Sequence, residues 1–301
     1  MSLASVALKD IGKILVFLLV SVLLGALMAP ELYWVCLWAG AHGLAPFLKN
    51  VEFRRVYDRA VLIAVIALLW PLIRWLRVAR LRELGLRRDA RGWTHLLTGL
   101  VISLGSMLVL GALLIGLHHY DARSSFSWLK LTSVLPTAAT VALLEEFLFR
   151  GALQGLMERS NPKVRALLFV AALFAIVHFL KPPLEPVAGV TWLSGFETIP
   201  KSFWQFREPR LVLGGFTTLF LAGVILGYAR TGTRALWMPI GLHAGWVVGK
   251  LGFAIVALRT SGDPGPWFGP DLLTGMAPVV MLLCSGFVVA FLLRRERMQT
   301  P

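Results

Sequence analysis

The sequence predicts an all-α polytopic membrane protein, and three observations predict it. The chain of 301 residues is 57% hydrophobic and only 15% charged, with a mean hydropathy of +0.74. A soluble domain averages about 25% charged and about 45–50% apolar residues. The excess is gathered into blocks of about 20 residues, the length that crosses a bilayer as a helix. Lipid admits only helices and closed barrels, and these runs are continuous rather than alternating, which excludes a barrel.

The first block, 11–29, follows Lys9 and Lys13. It is long for a signal-peptide core, and the small-residue cleavage pattern before Pro30 is weak, so it reads as an uncleaved span. The stretch 31–48 is aromatic but interrupted by Gly40, His42, Gly43 and Pro46, and reads as spanning, re-entrant or interfacial. Further spans are expected at 58–74, 94–118, 128–157, 163–180, 210–229, 233–258 and 271–293. That makes eight transmembrane helices, or nine if 31–48 spans.

Charge orders these spans. Residues 74–92 carry seven arginines against Glu83 and Asp89. Short basic loops between apolar blocks are the positive-inside signature, and they suit anionic lipid headgroups. The net charge of +14 is therefore read as topology rather than as a nucleic-acid surface. With eight helices both termini lie inside, together with 74–92, 158–163, 230–232 and the tail Arg294-Arg295-Glu296-Arg297. The loops 119–127, 181–209 and 259–270 then lie outside, and only 49–59, at net +2, sits awkwardly there. With nine helices the N-terminus is outside. The longest loop, 181–209, holds five prolines with Trp192, Phe196, Phe203, Trp204 and Phe206, and suits the membrane interface. It reads as a connector or as a lid over a site. Cys36 and Cys284 lie in separate runs and make no disulfide framework. No internal repeat is visible. The organisation expected is a single membrane domain, 1–301, with N-terminal helices in 1–93 and a core in 128–258, within the C-terminal two-thirds.

Within the apolar run Val141-Ala-Leu-Leu-Glu145-Glu146-Phe-Leu-Phe-Arg150 stand three ionisable residues. Such groups are costly in lipid, at about 2.5–3.5 kcal/mol each at the bilayer centre on insertion scales. Glu146 and Arg150 are four apart and can pair on one helix face. Glu145 is rotated by about 100° from Glu146, so its partner must come from another helix or from water. Two histidines lie within spans, His178 and His243. Counted from the cytoplasmic helix ends, Glu145, His178 and His243 lie about 18, 22 and 15 Å deep, which is one layer. A carboxylate and a histidine in a polar pocket can activate water, and a second histidine can donate to an oxyanion. The same residue types also suit a plain polar network between helices. His42, His95, His118 and His119 sit at span ends or in 31–48, as interfacial residues do.

Glu145-Glu146-x-x-x-Arg150 resembles the first motif of the CAAX prenyl protease type II family, which includes the bacterial CPBP (ABI) intramembrane proteases. Phe174-Ala-Ile-Val-His178 resembles its second motif, in which Phe174 precedes the histidine. Phe220-Leu-Ala-Gly223-Val-Ile-Leu-Gly227 is similar to its glycine-containing helix, and Leu236-Trp-Met-Pro239-Ile-Gly-Leu-His243-Ala-Gly-Trp246 to its third motif. The resemblance covers roughly 130–250. It implies that Glu145 and His178 activate water, that Glu146 and Arg150 support the site, and that His243 forms half of an oxyanion hole. The family's second donor, an asparagine four residues after that histidine, is here Val247. Lys250, two turns beyond His243, is a candidate replacement, and its alternative is a lysine reaching the headgroups.

The implied activity is an intramembrane endopeptidase acting on a membrane-associated peptide or protein, in a bacterial cytoplasmic membrane. Its expected mechanism is the glutamate type without a cofactor. A zinc site built from Glu145, His178 and His243 is the metal-dependent alternative. Two further readings are a non-catalytic protein of the same fold, with an immunity or scaffold role, and a proton-coupled transporter. The missing asparagine favours the former; the absence of inverted repeats disfavours the latter.

Overall fold

A computed structural model describes residues 3–77, 84–86, 90–159, 161–183, 189–260, 267–269 and 272–299. The arginines at 80, 82, 87 and 88 of the basic run, with Glu83 and Asp89, lie outside these residues, as does 184–188 of the long loop. The described chain is helical almost throughout. The helices are α1 (Leu3–Ala41), α2 (Phe53–Trp75), α3 (Gly92–Gly116), α4 (Trp128–Glu146), α5 (Lys163–Val177), α6 (Ser194–Lys201), α7 (Pro209–Thr233), α8 (Trp237–Val256) and α9 (Met276–Gln299). The α4 helix runs on through a π-helical stretch, Phe147–Gln154, and a last turn, Gly155–Met157. Two three-residue strands, β1 (Tyr120–Ala122) and β2 (Ala257–Arg259), pair antiparallel.

Among the described residues, seven helices are long and apolar enough to cross a membrane: α1 to α4 and α7 to α9. The protein is an integral, multi-pass, all-α membrane protein. The remaining expected span, 163–180, is the 15-residue α5. At about 22 Å it is shorter than the hydrocarbon layer of about 30 Å. The stretch 31–48 is not a separate span. Residues 31–41 prolong α1 past Pro30, and Pro46–Leu48 form a single 3-10 turn. The turn that ends α1 explains the glycines there. A Cβ on Gly40 would lie 2.6 Å from the Lys49 nitrogen, and Gly43 has φ +73°.

The chain divides into two compact units: Met1–Ala79 with Val177–Val212, and Arg80–Ile176 with Leu213–Pro301. In the first, α1 and α2 pair along their length. Ala26, Ala29, Phe53, Tyr57 and Ala60 form the core, and Lys13 Nζ donates to the Trp75 carbonyl (3.2 Å) and to Asp10 (2.7 Å). In the second, α3 and α8 make the closest helix pair. A Cβ on Gly241 would sit 2.0 Å from the Leu96 carbonyl oxygen, and one on Gly245 2.0 Å from Ser103 Oγ. Small residues one turn apart let two backbones touch, which is how helices associate when lipid offers no hydrophobic drive. Ser103 completes the seam by donating to the carbonyls of Gly99 (2.8 Å) and Gly241 (3.4 Å). Cys36 and Cys284 are free thiols.

Candidate active site

The glycine seam fixes which way α8 faces. His243 follows Gly241 by two residues, about 200° round the helix, so it points away from α3. On that side α8 meets α4, where Ala142, Leu236 and Ile240 form a buried cluster. Glu146 is the last residue of the α-helical part of α4. The next eight residues form the π-helix, and all of them are buried. A π turn widens the helix and is commonly found at functional sites.

Five side chains of the second unit converge there. Arg150 Nη1 donates to Glu146 Oε1 (3.1 Å), and both residues are fully buried. This is the i,i+4 pair expected from spacing. Arg150 Nη2 donates to the Gly223 carbonyl of α7 (3.3 Å), and its guanidinium lies 4.3 Å over the Phe174 ring of α5. His243 Nδ1 lies 2.8 Å from the same Glu146 oxygen. Its Nε2 faces Glu145 Oε2 at 3.9 Å. Glu145, whose rotation called for a partner on another helix or for water, thus faces α8. Its side chain is 30% exposed, against none for Glu146. The Phe174 ring meets the His243 ring edge to face at 5.8 Å.

Hydrogen-bond valence constrains the imidazole. Glu146 is held by a guanidinium and acts as acceptor, so His243 Nδ1 carries the proton. In a neutral ring Nε2 then presents a lone pair to Glu145, and it becomes a donor only when the ring holds both protons. Glu146 Oε2 and Arg150 Nε are buried with no hydrogen-bond partner among the described residues, so the cluster has room in its bonding for water.

The polar face continues beyond Arg150, and the sequence reading did not include this part. Gln154, fully buried, donates through Nε2 to Glu158 Oε1 (2.9 Å), Thr231 Oγ1 (3.2 Å) and the Gly227 carbonyl (3.3 Å). Glu158 also pairs with Arg230. Arg150 on Gly223 and Gln154 on Gly227 are two rungs between α4 and α7. The signal was present in the four-residue spacing of Glu146, Arg150, Gln154 and Glu158.

His178 follows α5 directly and belongs to the first unit, where it is half-buried. Val247 and Lys250 lie one and two turns beyond His243 and are half-buried. His95, in the first turn of α3, is buried and meets Glu296 of α9 at 3.3 Å. Among the described residues no three His, Cys, Asp or Glu side chains gather as a metal-holding group. Within the cluster Glu146 is already committed to Arg150 and His243, which leaves Glu145 Oε2 and His243 Nε2 as facing donors.

Fold and site together define a helical membrane protein with a carboxylate–arginine–histidine cluster between its spans. Residues 126–249 match the family of Type II CAAX prenyl endopeptidases, Rce1-like, the family that the sequence motifs resemble. The matched stretch contains Glu145, Glu146, Arg150, Phe174, His178 and His243. At the level of the family, the chain is similar to membrane endopeptidases of the CAAX-protease type. No curated protein and no solved structure matches the chain.

Proposed function

We propose that the protein is an intramembrane endopeptidase in which Glu145 activates water, and that a bacterial cytoplasmic membrane is its location. The observation that carries this reading is the facing of Glu145 Oε2 and His243 Nε2 at 3.9 Å, with the ring held from behind by Glu146. A water hydrogen-bonded to both groups would be polarised at one place. Its oxygen attacks the scissile carbonyl carbon, and its proton passes to Glu145. The carbonyl π electrons move onto oxygen, and the resulting oxyanion accepts a hydrogen bond from His243 Nε2–H. That role requires the doubly protonated ring. Charge balance supports it, since two carboxylates, one guanidinium and one imidazolium sum to zero, as a site within lipid demands. Collapse of the intermediate breaks the C–N bond, and the proton on Glu145 leaves with the amine.

His178 is proposed, on its motif position, to share in orienting the water. Arg150, Glu146 and Phe174 are proposed to hold the cluster in place. Lys250 is proposed as the replacement for the asparagine that Val247 displaces. The reading is metal-free, with a zinc site of Glu145, His178 and His243 as its metal-dependent alternative. The proposed substrate is a membrane-associated protein or peptide, with the prenylated C-termini cut by the named family as the first class to try. A non-catalytic protein of the same fold is the second reading, and Val247 is the observation in its favour.

The test is a comparison of host membranes containing the wild type or Glu145→Gln, with new protein N-termini mapped by mass spectrometry. Termini present only with the wild type are expected. Identical sets would favour the non-catalytic reading.

A further inference from the structure

We propose that α6 and the turn after it form a three-sided surface that lies in the bilayer interface and takes lipid acyl chains as its partner. The first side faces α1. Ser194, Gly195 and Thr198 are buried, and a Cβ on Gly195 would fall 1.8 Å from the Ala26 carbonyl oxygen. The inward hydroxyls are satisfied locally, Thr198 Oγ1 by the Ser194 carbonyl (2.7 Å) and Ser202 Oγ by the Thr198 carbonyl (2.9 Å). The second side is apolar and points outward. Leu193, Phe196 and Phe203 are 63%, 37% and 52% exposed. At about 100° per residue they fall in one stripe opposite the hydroxyls. The third side carries Glu197 and Lys201, one turn apart and both exposed.

Apolar groups outside and hydroxyls inside invert the order of a helix bathed in water. A lipid-facing stripe flanked by a charged strip is the pattern of a helix lying in the membrane plane, with its apolar side at the headgroup–acyl boundary. The seat of α6 agrees with that placement. The α1 helix is itself a span-competent helix, and its exposed residues near the seat are Leu19, Leu23 and Leu27. Ala26 lies thirteen residues past Lys13, about 20 Å along α1 from the end that Lys13 and Trp75 share, towards the far side of a hydrocarbon layer of about 30 Å. Trp192, edge-on to Trp34 at 4.6 Å, adds the aromatic pair usual at that level. The segment is thus a lipid-docked element, not an aqueous connector. This inference does not depend on catalysis.

The experiment is spin-label accessibility in phosphatidylcholine vesicles, on the full chain with Cys36→Ala and Cys284→Ala. Labels go on Phe196→Cys, Leu193→Cys and Lys201→Cys, each probed with oxygen, which partitions into lipid, and with a water-soluble nickel chelate. The expected result is several-fold higher oxygen than nickel accessibility at 193 and 196, with the order reversed at 201. Nickel accessibility at 196 equal to that at 201 would overturn the proposal. Shielding of 196 from both reagents would also overturn it, since the occupant would then be protein.

Discussion

Replacing Arg150 with Met tests whether the buried cluster holds the core of the second unit together. The substitution keeps much of the side-chain volume and removes the charge. It deletes the bond to Glu146 (3.1 Å), the bond to the Gly223 carbonyl (3.3 Å) and the cation over Phe174 at 4.3 Å. Unit charges at the first distance attract by about 5 kcal/mol at an effective dielectric constant near 20. Most of that attraction offsets the cost of dehydrating both ions, so the intact pair is worth little net. Removing Arg150 leaves the buried Glu146 carboxylate with His243 Nδ1 at 2.8 Å as its remaining charge-bearing partner. Glu146 is fully buried, so the single variant should lose about 3–5 kcal/mol. Glu146→Leu combined with Arg150→Met removes both charges and should recover more than half of the loss. The assay is reversible unfolding in bicelles, read for wild type, both single variants and the double. A loss below about 1 kcal/mol for Arg150→Met, or no recovery in the double, would refute the argument that the pair compensates itself.

Five further outcomes are expected. Gly245→Ala drives a methyl against Ser103 Oγ at 2.0 Å and the Leu100 carbonyl at 2.8 Å, so overpacking should cost about 1–3 kcal/mol in the same unfolding assay. Gly105→Ala, with nothing within 4 Å, should be neutral or stabilising. Val247→Asn should raise turnover, towards the factor of about 10²–10³ that one oxyanion donor is worth, and Lys250→Met should lower it; no change in either would remove both residues from the site. Exhaustive chelation of the purified protein should leave turnover intact, while stoichiometric zinc measured by emission spectrometry would argue for the metal-dependent alternative.

Much of this arrangement was legible in the sequence because lipid restricts the alternatives. Apolar blocks gave the spans, and the spacing of Glu146 and Arg150 gave their pair. Rotation by one residue showed that Glu145 needed a partner from another helix or from water. The π-helix was not legible, since its sequence, Phe147–Gln154, has no composition of its own. Nor was the fate of 31–48. Gly40 and Gly43 suggested interruption, but only the close approach of Lys49 shows that they end a long helix rather than break a span. His243 was found as a candidate by position, yet its Nδ1 bond to Glu146 depends on how α8 is turned by Gly241 and Gly245 against α3. Gln154 was missed because amides draw less attention than charges, although it falls on the same four-residue stripe.

The most direct measurement is turnover of a quenched-fluorescent, prenylated CAAX-terminated peptide by the purified protein in liposomes, compared between wild type and Glu145→Ala. The account predicts hydrolysis by the wild type and its loss in the variant, with the same unfolding profile for both. Hydrolysis at the same rate by both proteins would contradict it.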